Sequence, residues 1–388
     1  MKMIKASVAA LLLAFFGFTV IGSAQTTSVL TGGLHLPTKV ITGPRNSLLV
    51  SEDGTPTPNT GSVVVVDRTT GEHHALLSGL PSGVDNLGGP PVSDGTTGIY
   101  LDGRVLYVTS GVGDATTNIG GVEYPTGAPS SPLFCSVMQI FLPRHFESLQ
   151  SDFHMTLDDQ NALADGRWVR LTNAEGYSAF ARVVANLPDY RSEPRPGIPN
   201  AVRSGHIFGV TRHGWNLYLA DASFNLIYRV NLFTGRSSVV TELPTRPNPL
   251  FGTIGGPTIE AVPNNIHTLG NKLLVTELTG FPLVPGQSDV RVVDPRTGAI
   301  STLIAGLSST MDVLAVGDCR HPDGYYTLEF STNQLAGAPG RMQFFDSAGN
   351  SSVVVPVLIT PSSMARDDET GDLFVTNIFP GTITRVQF

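Results

Sequence analysis

Six places along the chain carry a polar side chain at the end of a short apolar run. Glu52, Ser110, Asp221, Glu277, Glu329 and Asn377 close residues 48–52, 106–110, 217–221, 273–277, 325–329 and 373–377. Four of the six are carboxylates. A second polar set, Lys39, Asn264, Asn265 and Asp312, stands shortly before three of those runs. Gathered together, carboxylate and amide oxygens are the donors that Ca2+ takes six to eight at a time. Beside apolar walls, the same groups make a small-molecule site. Turn capping is the competing role, because Asp and Asn at strand ends commonly bond their own loops.

Whether these side chains meet depends on the elements that carry them. The run Leu273-Leu-Val-Thr-Glu277 lies within residues 260–307, between apolar stretches at 266–269, 290–294 and 299–305 and turns at Gly270-Asn271 and 295–298. That is a four-stranded antiparallel meander of the size of one propeller blade. Its relatives begin 58, 111, 56, 52 and 48 residues apart, so one interval holds an insertion. The spacing predicts an all-β protein, a six-bladed β-propeller of four-stranded antiparallel blades, with blade 2 enlarged at residues 111–132 and 143–177. A seventh blade inside the long interval is the alternative. Within the second excursion, Thr156-Leu-Asp-Asp159 reads as a helix start and Gly166 as a stop.

The two ends of the pattern complement one another. Residues 26–34 resemble the outer strands at 74–80 and 301–307 but have no blade of their own, and the last blade supplies three strands, 363–366, 373–377 and 382–386. The N-terminal strand is therefore expected to close the ring. In such a ring a blade's first strand leaves the upper face and its second returns there, so both polar sets converge on the upper channel mouth. Phe281 and Pro282, in the loop 278–287, wall that mouth. By the same rule residues 111–132 belong on the upper face and 143–177 on the lower.

Residues 1–24 read as a cleaved signal peptide. Lys2 and Lys5 are its basic start, 6–20 an apolar core too short for a bilayer, and Gly22-Ser23-Ala24 its cleavage site. The mature chain, residues 25–388, is then a single extracytoplasmic domain, periplasmic or secreted, with no membrane span. Without those two lysines it carries 22 basic against 32 acidic side chains and no basic cluster, which argues against nucleic acid as a partner. A small molecule or a protein remains as the partner class.

Cys135 and Cys319 fall in blades 2 and 5, opposite one another in a six-fold ring and too far apart for a disulfide, so both read as buried free thiols. The histidines form no metal-spaced set. His73 and His74 point to opposite faces of one strand, and His206, His213 and His321 sit near loops. No nucleophile elbow or phosphate-binding glycine motif is present, which favours a binding or interaction module over an enzyme.

The runs Leu273-Leu-Val-Thr-Glu-Leu-Thr-Gly-Phe-Pro282, Val293-Asp-Pro-Arg-Thr-Gly298 and Ala305-Gly-Leu307 resemble the repeats of the ScyD/ScyE family, exported six-bladed β-propellers related to NHL-repeat proteins. The resemblance covers most of the mature chain. It implies that fold and an extracytoplasmic location, with no established activity or catalytic residues; the blade 2 excursions exceed the family's usual pattern. The alternative function is a Ca2+-dependent hydrolase or lactonase, by analogy with gluconolactonase-like propellers whose channel Ca2+ is held by Glu, Asn and Asp. That analogy rests on fold alone.

Overall fold

The computed structural model describes residues 25–86 and 91–388, so the expected signal peptide lies outside the described residues. Six sheets share one plan, in which four antiparallel strands lie side by side. Sheet 1 is Pro37–Thr42, Ser47–Glu52, Gly61–Asp67 and His73–Leu80. Sheet 2 is Thr96–Asp102, Val105–Ser110, Ser136–Phe141 and Ser178–Asn186, with Val169–Thr172 added outside. Sheet 3 is Ile207–His213, Asn216–Asp221, Leu226–Asn231 and Ser237–Glu242. Sheet 4 is Pro263–Leu269, Lys272–Glu277, Ser288–Val293 and Ile300–Leu307. Sheet 5 is Thr310–Asp318, His321–Glu329, Gly340–Asp346 and Ser351–Leu358. Sheet 6 is Pro361–Arg366, Leu373–Asn377 and Thr382–Gln387, and its fourth place is taken by Thr26–Thr31, from Thr26 opposite Gln387 to Thr31 opposite Ile383.

The apolar runs form strands buried on both faces, and alternation decides what each residue touches. Leu49 packs with Leu106 and Val108 between sheets 1 and 2, while Leu48 and Val50 pack with Phe374 and Ile383 of sheet 6. Leu217 and Leu219 face sheet 2, Tyr218 and Ala220 face sheet 4. Further apolar clusters join sheets 4 and 5 and sheets 5 and 6. The first strands neighbour one another in sheet order, and that of sheet 6 lies against that of sheet 1. Their approach is close: a Cβ added to Gly209 of sheet 3 would sit 2.3 Å from the Asn264 carbonyl oxygen of sheet 4.

Each first strand also carries a register shift near its start, as between Pro37 and Lys39, Pro263 and Ile266, and Thr310 and Asp312. A bulge there leaves a residue unpaired and re-aims it. It is at these bulges that Lys39, Asn264, Asn265 and Asp312 stand.

The two excursions of sheet 2 behave differently. Thr116–Ile119 and Val122–Pro125 pair as a hairpin and join Val202–Ser204 and Tyr190–Ser192 in a separate four-stranded sheet. The second begins at the expected lower end, where Arg45 meets Glu147 at 3.2 Å, but does not stay there. Phe153–His154 pairs parallel with the outer strand of sheet 1. The helix Leu157–Ala164 follows, opened by a capping box in which Thr156 and Asp159 bond each other's backbone N–H groups. Its buried Gln160 donates to Asn59 Oδ1 at 3.2 Å, in the loop between the second and third strands of sheet 1. The excursion therefore climbs the wall between sheets 1 and 2, because its apolar residues Phe146, Phe153 and Leu163 fill that cleft. Cys135 and Cys319 are both free, as expected, but Cys319 is exposed rather than buried because it sits in the turn of a hairpin.

Candidate functional site

At the axis, side chains from four first strands form one hydrogen-bonded cluster. Lys39 Nζ donates to Asn265 Oδ1 at 2.7 Å and to Asp312 Oδ2 at 3.2 Å. The same oxygen accepts from Ser363 Oγ at 2.9 Å and from the Met364 N–H at 3.0 Å. Oδ1 of Asp312 accepts from the Val313 N–H at 2.9 Å and pairs with His267 Nε2 at 2.6 Å. Burial alone would raise the Asp312 carboxyl's pKa, but Lys39, His267 and the N–H donors hold it below the usual carboxylate range. Burial lowers the Lys39 ammonium's pKa against the pull of Asp312. Asn265 completes the cluster by donating from Nδ2 to the Met311 carbonyl at 2.8 Å. Asn264 stands beside it, with Nδ2 3.3 Å from the Thr310 carbonyl.

The carboxylates of the second strands do not join that cluster. Glu52 accepts from the His35 N–H at 2.8 Å, Asp221 from the His206 N–H at 3.1 Å and Glu329 from the Ser308 N–H at 2.6 Å. In each case the donor lies just ahead of the first strand of the same sheet, so these acids tie a sheet's entry to its second strand. Burial raises the pKa of Asp221 despite its N–H donors. Glu277 instead meets Arg246 and Arg291, the latter at 3.0 Å. Two other acids do crowd: burial and the charge of Asp94 push the Asp53 carboxyl well up.

Calcium does not suit this donor set. The Asn265 and Asp312 oxygens are held by the Lys39 ammonium, itself a cation, and the other acids spend oxygens on N–H donors. Among the described residues no group of three His, Cys, Asp or Glu side chains is placed to hold a metal.

Beside the axis, on the side where the second strands end, lies a cleft of about 630 Å3. Phe208, Asn264, Leu278, Phe281 and Met311 line it together with Arg195 and Arg203 from the separate sheet and its connecting loop. Its arginines are already paired, Arg203 with Glu260 at 3.3 Å and Arg195 with Glu193 at 3.6 Å, while Glu123 accepts from the Ser204 N–H. The chain can offer this cleft aromatic faces, apolar walls and a ring of donors and acceptors in which acidic side chains slightly outnumber the two arginines. Asn264 and Phe281 were visible in the sequence as candidates. His267 and the arginines were not, since nothing in their spacing connects them with partners on other sheets.

No protein-family model matches the sequence, and comparison with curated proteins gives no match. Among solved structures, the chain is similar at a TM-score of 0.51 and 11% identity to a structural genomics protein of unknown function from Bacteroides thetaiotaomicron VPI-5482, covering 94% of this chain and 76% of that one. It is also similar to an auxiliary nutrient binding protein from the same organism, at a TM-score of 0.51 and 9% identity, over 93% of this chain and 76% of the other. With the sheet plan above, these likenesses define an all-β, propeller-like protein. Among the described residues no helix is long and apolar enough to cross a membrane.

Proposed function

We propose that residues 25–388 form a closed six-bladed β-propeller of the ScyD/ScyE type, exported by a signal peptide at 1–24, that works as an extracytoplasmic binding module through its upper face. Closure is supported by the first strand of sheet 6 lying against that of sheet 1 and by Thr26–Thr31 completing sheet 6. The observation that carries the function is the upper cleft, where paired charges surround Phe208 and Phe281. Such a site takes a small uncharged molecule that stacks on the rings and hydrogen-bonds to the rim. The likeness to a nutrient-binding protein supports this at the level of fold alone. The calcium-dependent hydrolase reading lacks a fitting donor set.

Screening the mature protein by thermal shift against neutral saccharides, nucleosides and amino acids tests the proposal. A ligand whose affinity drops about tenfold in Phe281→Ala and in Arg203→Ala, with both variants folded, is the expected result. A screen without a hit, or hits indifferent to both substitutions, overturns it.

A further inference from the structure

The first strands also frame a second opening at the far end of the axis. A cavity of about 290 Å3 there takes residues from all six sheets, among them Val40, Tyr100, Val210, Ile266, Leu314 and Met364. The polar groups around it are mostly spoken for. The Thr211 hydroxyl lies 3.1 Å from that of Thr268, Arg366 pairs with Asp368 at 3.1 Å on the rim, and Lys39 is held inside the axial cluster. Thr42 and Tyr100 line it as well, and His267 is the group tied to the axial cluster through one ring nitrogen only.

Its environment fixes the chemistry of its ring. Asp312 is fully buried and surrounded by donors, which keeps it an acceptor, so the proton between them sits on His267 Nε2. In the neutral imidazole Nδ1 is then an acceptor. It has no partner among the described residues, and the His267 side chain is 25% exposed on the cavity side of the cluster. A carboxylate behind an imidazole strengthens the bond that its other nitrogen accepts.

We infer that this axial cavity binds a small ligand with an apolar body and one weakly acidic hydrogen-bond donor, a phenol being the simplest case, which gives its O–H to Nδ1 of His267. The Lys39 and Arg366 charges are already paired and most of the remaining wall is apolar, which disfavours a fully charged ligand, and the volume suits a single ring rather than an extended molecule. The site is independent of the upper cleft, from which the Lys39–Asp312 cluster separates it.

The probes 4-ethylphenol and 4-ethyltoluene are matched in size and differ in an O–H against a methyl group. Titrated into the full mature chain, the phenol is expected to bind about tenfold more tightly, the worth of one good hydrogen bond. It should also shift the His267 Nδ1 resonance in 15N spectra of the imidazole. His267→Phe should abolish that preference. Should His267→Phe fail to fold, Ala315→Phe fills the cavity from its partly exposed wall without touching His267 or Asp312, and should abolish phenol binding. Equal affinity for both probes, no binding of either at millimolar concentration, phenol binding that leaves Nδ1 unshifted, or binding that survives Ala315→Phe would each overturn the proposal.

Discussion

Asp312 at the axis and Glu277 at the rim are both fully buried carboxylates paired with cations, yet their acidities move in opposite directions. Burial works against ionisation in both. For Glu277 it prevails over Arg246 and Arg291, and both arginines are shared with Asp289, at 3.4 and 2.8 Å. For Asp312 the balance falls the other way, because Lys39, His267, Ser363 and two backbone N–H groups all point at one carboxylate. The number of cations nearby does not decide the outcome. Donors that a carboxylate does not have to share with a second carboxylate do.

The sharpest way to break the comparison is Asp312→Asn, which leaves the Lys39 ammonium uncompensated in the interior. Urea unfolding at pH 7 should show a loss of about 3–5 kcal/mol, and adding Lys39→Met should restore part of it. A loss below about 1 kcal/mol would remove the axis as a special place. Next in size is the perimeter. Deleting residues 25–31 uncovers Thr382–Gln387 and should lower the Tm by roughly 5 °C; unchanged melting would show that the pairing contributes nothing to stability.

Glu277→Gln should cost less than Asp312→Asn, about 1–2 kcal/mol, because its arginines keep Asp289. A larger cost than that of Asp312→Asn would reverse the ranking of rim and axis. The smallest effect is the pH dependence. The depressed pKa of Asp312 means that its stabilisation is present above the unfolded value near 4 and is lost as pH falls through the folded value. Glu277 is the opposite case, its contribution being complete below the unfolded value and lost as pH rises through its raised folded one. Stability measured from pH 7 to 2 should fall less on the acid side in Asp312→Asn, and change less on the neutral side in Glu277→Gln. Curves parallel to the parent's would sink both assignments.

The sheet plan was legible because a strand buried on both faces needs an uninterrupted apolar run, and Leu48-Leu-Val50 and Leu273-Leu-Val275 are such runs. The helix was legible for a local reason, Thr156 and Asp159 being within one turn of each other. The site was legible only in part. Lys39, Asn265 and Asp312 stood out as polar residues in apolar strands, and the structure joins them. Glu52, Asp221, Glu277 and Glu329 stood out equally, yet each is satisfied by a nearby N–H or by arginines. Sequence spacing cannot separate these cases, since the difference lies in which way a strand end turns. His267 escaped notice because the partner that orients it is on another sheet.

The pairing of Thr26–Thr31 with Thr382–Gln387 also sets an order of events. Thr26–Thr31 waits for a strand made long after it, and no local contact shortens the wait, so completion of sheet 6 is a late, long-range step in folding. Until then the Thr382–Gln387 edge recognises any copy of its partner, including one from a neighbouring chain. Refolding at high concentration should therefore yield strand-exchanged dimers or longer chains of molecules, and dilution should favour the monomer.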